Sequence, residues 1–182
     1  MPDQTAIRCL KSGDIGGLET LIARYQIKAI RAAYFVTQDE QMAEDIVMDT
    51  FLEIYGHIHS FDESRPFQPY LMRSVVNKAL NTVRKRRREI SLEAVDRTGQ
   101  VEKLLAQAAS VESQAEYTAL QNQILAAIAE LPPRQRAAVV LRYYLDMNEA
   151  EMALALEAAP GTVKWLLHTA RTRLQPLLGP QR

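Results

Sequence analysis

The 182-residue chain has little cysteine and glycine and no long apolar runs, which excludes several classes of protein. Its one cysteine, Cys9, excludes an internal disulfide or a metal site built from cysteines, and we expect it to be a small buried residue. Seven glycines and few alternating apolar runs argue against β-structure. No apolar run reaches the roughly 18 to 20 residues of a membrane span, and the first 30 residues lack a signal-peptide pattern. The sequence therefore predicts an all-α protein that stays in the cytoplasm, with no membrane insertion.

Groupings typical of enzymes are also missing. We find no Ser/His/Asp or Cys/His arrangement and no phosphate-binding loop. Asp45 and Asp49 form an i, i+4 carboxylate pair, but no histidine accompanies them. His57 and His59 are weak evidence for a metal site, because two loop histidines without further ligands are usually solvated. We therefore expect no enzyme activity, no metal and no cofactor.

The net charge of zero conceals an uneven distribution. Residues 91–133 contain two basic and six acidic residues, whereas residues 134–182 contain seven basic and four acidic ones. Within residues 1–90, seven basic residues lie between Arg73 and Arg88. Basic patches on a neutral chain indicate that a polyanion is bound locally.

The spacing of apolar residues in the C-terminal part predicts three short helices. Pro132 and Pro133 supply the first start, and Asn148 with Glu151 forms a capping box for the second. Pro160 opens the third, whose inward residues should be Val163, Leu167, Ala170 and Leu174. The second and third helices, joined by a tight turn, constitute a helix-turn-helix whose last helix can enter a DNA major groove.

The N-terminal part is predicted to contain three longer helices. They run from about Ser12–Asp14 to Tyr34, from Asp39 to Tyr55 and from Phe67 to Arg88. We expect a first domain over residues 1–92, a linker over 93–112 and a second domain over 113–182. The second domain should begin with a helix whose apolar stripe is Tyr117, Leu120, Ile124, Ala127 and Leu131.

Two sets of motifs, in order along the chain, carry a resemblance to a known family. The C-terminal set is Leu131-Pro-Pro-Arg-Gln-Arg and Gly161-Thr-Val-Lys, followed by Leu167-His-Thr-Ala-Arg. The N-terminal set is Ala43–Phe51, Phe61-Asp62, Arg65-Pro66-Phe67 and the cationic run Arg84–Arg88. Together they closely resemble bacterial extracytoplasmic-function sigma factors. The resemblance implies a subunit that binds core RNA polymerase and promoter DNA in transcription initiation.

The helix from Asp39 to Tyr55 has two faces. One arc contains the apolar residues and Thr50, which leaves four others exposed: Asp45, Met48, Asp49 and Leu52. From the residues alone, this exposed face is most simply a solvated acidic surface. The resemblance implies instead that it binds the coiled coil of the largest polymerase subunit, although the family often has Gln where Met48 stands.

Two helices contain candidate DNA-binding residues. On the helix from Phe67, a stripe at i, i+4, i+8, i+11 and i+15 can follow phosphates while amides reach bases; it consists of Arg73, Asn77, Asn81, Arg84 and Arg88. On the last helix the candidates are Thr162, Lys164, Trp165, His168 and Arg171. The resemblance also implies that the loop from Gly56 to Phe67 captures a base flipped from the melted strand.

The helix-turn-helix departs from the family at several positions. Trp165-Leu166 stand where Ser-Arg is common, Glu157 replaces the turn glycine, and Ala159 replaces a capping serine. With Val163, Leu167, Ala170 and Leu174 facing inward, we expect Trp165 and Leu166 to be exposed to differing degrees, together with Thr162, Thr169 and Arg173. Trp165 and Leu166 would then contact either thymine methyls and sugars or a protein. For the protein case, our hypothesis is packing against the N-terminal domain or an anti-sigma factor.

Two alternative functions are compatible with the same motifs. A stand-alone helix-turn-helix regulator would dimerise on symmetric sites, whereas a sigma factor would be a monomer when free and would require core polymerase. A sigma-like interaction protein would bind polymerase, but its last helix would recognise promoter DNA only weakly.

Overall fold

The structure, a computed structural model, describes residues 1–90 and 114–178, and all regular structure there is helical. The helices are α1 (Asp3–Lys11), α2 (Gly16–Thr37), α3 (Glu40–Gly56), α4 (Phe67–Ile90), α5 (Gln114–Ala129), α6 (Pro133–Val139), α7 (Glu149–Ala155) and α8 (Pro160–Leu178). A 3-10 turn (Ile58–Ser60) precedes α4, and a π-helical turn (Val140–Tyr144) follows α6. The all-α prediction is confirmed. In the described part of the chain, no helix is long and apolar enough to cross a membrane.

The backbone contacts divide the chain into two units, Met1–Asn81 and Thr82–Arg182. The division falls within α4, close to Leu80, which is buried. The predicted linker, residues 93–112, lies outside the described residues. The expected domain limits at residues 92 and 113 therefore remain expectations.

The core of the N-terminal unit is built around α3. Asp39 caps this helix by accepting a hydrogen bond from the Met42 amide at 3.0 Å. The predicted inward arc is confirmed, because every member is buried: Ala43, Ile46, Val47, Thr50, Phe51 and Ile54. The Thr50 hydroxyl donates to the Ile46 carbonyl at 2.6 Å, so this buried polar group is satisfied.

Helix α1 was not predicted. Ala6, Ile7 and Leu10 are its buried face, a spacing that fits a helix but covers few turns. The helix crosses α2 closely at Gly17, where a Cβ atom would lie 2.2 Å from the Ala6 carbonyl oxygen. Only glycine allows this approach of the two backbones.

The helix-turn-helix forms as predicted in the C-terminal unit. Pro133 occupies the first turn of α6, and Asn148 accepts hydrogen bonds from the Ala150 and Glu151 amides at 3.0 Å. The Glu151 carboxylate accepts from the Asn148 amide at 2.8 Å, which completes the capping box. Helix α8 packs against α5, α6 and α7, and its Ala170 joins Leu131 and Val139 in a buried cluster.

Three predicted burials were wrong in part. Leu120 and Ile124 of α5 are exposed, whereas Leu125 and Ile128 are buried with Ala127 and Leu131; the Tyr117 side chain lies outside the described part. The physical reason is that α5 has apolar residues on more than one side, so its stripe does not determine its rotation. For the second C-terminal helix, the spacing predicts Met152, Ala153 and Leu156 as the inward face. Met152 and Leu156 are buried, but Ala155 rather than Ala153 completes this face. Cys9 is only partly buried.

We expect Gly17→Ala to lower the free energy of unfolding by about 1 to 3 kcal/mol, because the added methyl group forces α1 and α2 apart. The measurement is urea unfolding of the full chain followed by circular dichroism. Gly56→Ala is the control, since a Cβ atom at Gly56 would have nothing within 4 Å. Equal stability of Gly17→Ala and the wild type would refute the close crossing.

The turn between α7 and α8 provides a second prediction. Glu157 there has φ 47, in the left-handed region that glycine occupies easily. We expect Glu157→Gly to stabilise the C-terminal unit by up to about 1 kcal/mol. Glu157→Gln, which removes the charge but retains the side chain, should change stability by less than about 0.5 kcal/mol. Fluorescence of Trp165, the one tryptophan in the chain, measures the unfolding of this unit. Equal effects of both variants would indicate a charge effect instead.

Candidate functional site

The exposed face of α3 combines acidic and apolar side chains. Met48 and Leu52 are 53% and 55% exposed, and Asp45 and Asp49 are exposed beside them. These are the four residues predicted from the sequence, and the structure brings them together on one side of the helix. Such a mixture suits a partner that presents both basic and apolar groups.

Lys78 of α4 was missed as a neighbour of this face. Its ammonium nitrogen lies 2.6 Å from Glu53 Oε1 and 3.5 Å from Asp49 Oδ2. Asp49 is therefore partly engaged within the unit. The i, i+4 spacing places Asp49 and Glu53 on one side of α3, but only the packing of α4 brings Lys78 to them.

The predicted DNA-binding stripe follows α4. Arg73, Asn81, Arg84 and Arg88 are exposed, and Asn77 is half-buried. Their spacing places them along one side of a single continuous helix. Guanidinium groups and amides in this arrangement can contact successive phosphates and base edges.

The loop between α3 and α4 is shaped by local hydrogen bonds and aromatic packing. Asp62 accepts hydrogen bonds from the Ser64 amide at 3.0 Å and the Ser64 hydroxyl at 2.7 Å. These bonds hold the pKa of Asp62 below its usual value, because they stabilise the ionised carboxylate. Phe61 is buried against Phe67 and Tyr70, with ring centroids 5.8 Å and 5.0 Å apart. His57 and His59 are exposed, and no metal-binding group of three or more side chains occurs among the described residues.

On α8, all five candidate residues are exposed, and the partly buried Thr169 lies beside them. Thr162, Lys164, His168 and Arg171 are solvent-accessible, and Trp165 is 58% exposed. Two of the cations have partners within the unit. Lys164 lies 3.5 Å from Glu149 Oε2, and Arg171 donates a hydrogen bond to the Tyr143 hydroxyl at 2.8 Å. Sequence reasoning missed Glu149 and Tyr143, because only the packing of α7 and the π-helical turn brings them to α8.

The expectation that Leu166 is exposed with Trp165 was wrong. Leu166 is only 3% exposed and belongs to the buried face of α8. The physical reason is helical spacing: Leu166 follows Val163 by three residues and precedes Ala170 by four, so it shares their side. Trp165 is therefore not part of a two-residue apolar patch.

Several arginines of the C-terminal unit stabilise its turns. Arg134 donates to the Leu156 carbonyl and Arg142 to the Met147 carbonyl, each at 3.0 Å. Arg136 is buried, and this burial lowers its pKa. The excess of basic residues in this part of the chain thus includes cations with a structural role, and α8 contributes three exposed cations: Lys164, Arg171 and Arg173.

Comparisons with known proteins agree with this geometry. Residues 21–89 match the family model for Sigma-70 region 2, and residues 121–174 match that for Sigma-70, region 4. The chain is 27% identical over 176 residues to the ECF RNA polymerase sigma factor SigW of Bacillus subtilis, covering 94% of each protein. It is 30% identical over 163 residues to the RNA polymerase sigma-E factor of Streptomyces avermitilis, covering 90% of this chain and 86% of the relative.

A solved structure shares the fold. The sigma factor RpoE of Bartonella quintana, in complex with the anti-sigma factor NepR, superposes with a TM-score of 0.69 at 25% identity, and the match covers 90% of this chain and 96% of that one. The family models, the relatives and the fold lead to one conclusion. The chain belongs to the extracytoplasmic-function RNA polymerase sigma factors of the sigma-70 family, which bind core polymerase and direct it to promoters.

Proposed function

We propose that this sigma factor binds the coiled coil of the largest polymerase subunit through the exposed face of α3. The single observation that carries the proposal is the position of Asp45, Met48, Asp49 and Leu52 on the side of α3 opposite its buried arc. Acidic and apolar groups that alternate on one rigid helix complement a basic and apolar partner.

We further propose that α4 and α8 bind the promoter. On α4 the contacts come from Arg73, Asn77, Asn81, Arg84 and Arg88, and on α8 from Thr162, Lys164, Trp165, His168 and Arg171. The loop between α3 and α4 engages the melted strand, with ionised Asp62 held in shape by Ser64. Each phosphate neutralised on duplex DNA should add about 0.9 to the salt slope of binding.

The remaining features of the proposal rest on family membership. The chain contributes no catalytic chemistry, is a monomer when free and acts in the cytoplasm with the polymerase. We also propose an anti-sigma factor as a partner, because the Bartonella protein is found in complex with the anti-sigma factor NepR. The two domains extend over residues 1–92 and 113–182, with a linker between them.

Replacement of Asp45 by arginine tests the polymerase surface. We expect Asp45→Arg to weaken the complex with core polymerase at least about tenfold, because it sets like charge against a basic partner. This variant is sharper than one at Asp49, which also lies near Lys78. Fluorescence anisotropy of the labelled full chain titrated with core enzyme provides the measurement.

Glu19→Arg is the matched control for this experiment, since Glu19 is an exposed carboxylate on α2 and the charge change is the same. The control should bind core polymerase like the wild type. Equal weakening by both substitutions would mean that overall charge, not the face of α3, governs binding.

The role of Trp165 is tested with a duplex fragment that the holoenzyme selects from a random library. We expect Trp165→Ala to lower holoenzyme affinity for this fragment about tenfold while core binding stays unchanged. Leu154→Ala is the control, because Leu154 is similarly exposed but lies on α7. Unchanged promoter affinity in Trp165→Ala would refute the DNA contact and favour a protein partner for this side chain.

A further inference from the structure

Helix α1 lies ahead of residues 21–89, the segment that matches the region 2 family model. Two of its cations nevertheless reach the loop between α3 and α4. Lys11 Nζ lies 3.0 Å from Glu63 Oε1 and donates a hydrogen bond to the Phe61 carbonyl at 2.8 Å. Arg8 Nε lies 3.2 Å from Glu63 Oε2. Both oxygens of one carboxylate are thus held by two residues of the same helix.

The other side of α1 is anchored in the unit. Ala6, Ile7 and Leu10 are buried, and the backbone of α1 meets α2 at Gly17. At the start of the helix, Asp3 accepts hydrogen bonds from Arg24 and Tyr25 of α2. Because apolar and polar contacts fix α1 at both ends, its cations act from a rigid element rather than from a loose terminus.

The contacts of α1 flank Asp62, whose hydrogen bonds help to shape the loop. Phe61 and Glu63, which Lys11 contacts, lie immediately before and after Asp62. Asp62 in turn binds the amide and the hydroxyl of Ser64. A shift of either flanking residue would therefore reorient the Asp62 carboxylate and the Ser64 hydroxyl.

The contacts of Arg8 and Lys11 are better suited to positioning the loop than to stabilising the fold. Exposed ion pairs contribute little to the free energy of unfolding, and Arg8 is largely exposed. Lys11 is different, because its side chain is 23% exposed and its ammonium group also binds a backbone carbonyl. A charge-assisted bond to the backbone fixes the path of the chain itself.

We propose that α1 holds the loop between α3 and α4 in the conformation needed for promoter melting. Lys11 is the positioning residue: it holds Phe61 and Glu63 so that Asp62 and Ser64 face the melted strand. The inference rests on the proposed role of this loop in promoter opening. It assigns to α1 a function in DNA melting that is separate from polymerase binding.

The test compares Lys11→Met, which removes the charge, with Lys11→Arg, which retains it. Glu63→Gln removes the same ion pair from the loop side, and Lys28→Met is a control for loss of a lysine elsewhere in the unit. Hydrogen exchange of the free full-length variants measures the protection of amides in residues 57–66. Permanganate reactivity of unpaired thymines measures the opening rate of the library-selected promoter fragment by each holoenzyme.

We expect Lys11→Met and Glu63→Gln to increase exchange in the loop and to slow opening roughly tenfold, the effect of losing one charge-assisted hydrogen bond. Lys11→Arg and Lys28→Met should open the promoter within about twofold of the wild type, and all variants should bind core polymerase equally. Rescue by arginine would distinguish positioning from simple packing of the side chain.

If hydrogen exchange of the loop amides were unchanged in Lys11→Met, the proposal that α1 holds the loop would be overturned, whatever the holoenzyme does. Faster exchange with normal opening would also overturn it, because the loop geometry would then be irrelevant to melting. A wild-type holoenzyme that binds the fragment without opening it would refute the proposed role of the loop in melting, and with it the functional part of the inference. Loop exchange would still decide whether α1 holds the loop.

Discussion

Burial of one arc of α3 is the constraint on which the N-terminal unit depends. Fully burying a large apolar side chain contributes about 1.5 to 3 kcal/mol, and α3 buries Ile46, Val47, Phe51 and Ile54 together. This burial fixes the rotation of the helix. The opposite arc, with Asp45 and Met48, must then face outward. The surface that we propose binds polymerase thus follows from the same packing that holds the unit together.

Contacts between helices adjust this surface and its surroundings. Lys78 of α4 contacts Asp49 and Glu53 of α3, so α4 is joined directly to the exposed face of α3. Within the loop between α3 and α4, Phe61 and Glu63 are contacted by Lys11 of α1. Lysine serves both purposes because its flexible stem can reach a neighbouring helix while its charge remains partly solvated.

The C-terminal unit relies on its turns. Arg134 and Arg142 donate to carbonyls near the two ends of α7, and the capping box of Asn148 and Glu151 satisfies its first amides. The turn into α8 requires Glu157 in a left-handed conformation, which costs free energy for any residue with a Cβ atom. Pro160 favours the first turn of α8 despite the absence of a serine cap. These turns set the orientation of α8 within the unit, and with it the direction of Trp165 and its exposed neighbours.

The sequence alone determined the helical class, the starts of α3, α6, α7 and α8, and the buried arc of α3, because caps and apolar spacing act over a few neighbouring residues. It also sufficed to select residues on α3, α4 and α8 whose side chains are in large part exposed. Only the tertiary structure decided the rotation of α5, since it depends on which of two apolar sides meets another helix. The contacts of Lys11, Lys78 and Arg171 were equally beyond the sequence. Each joins residues more than twenty positions apart, and only packing brings such residues within hydrogen-bonding distance.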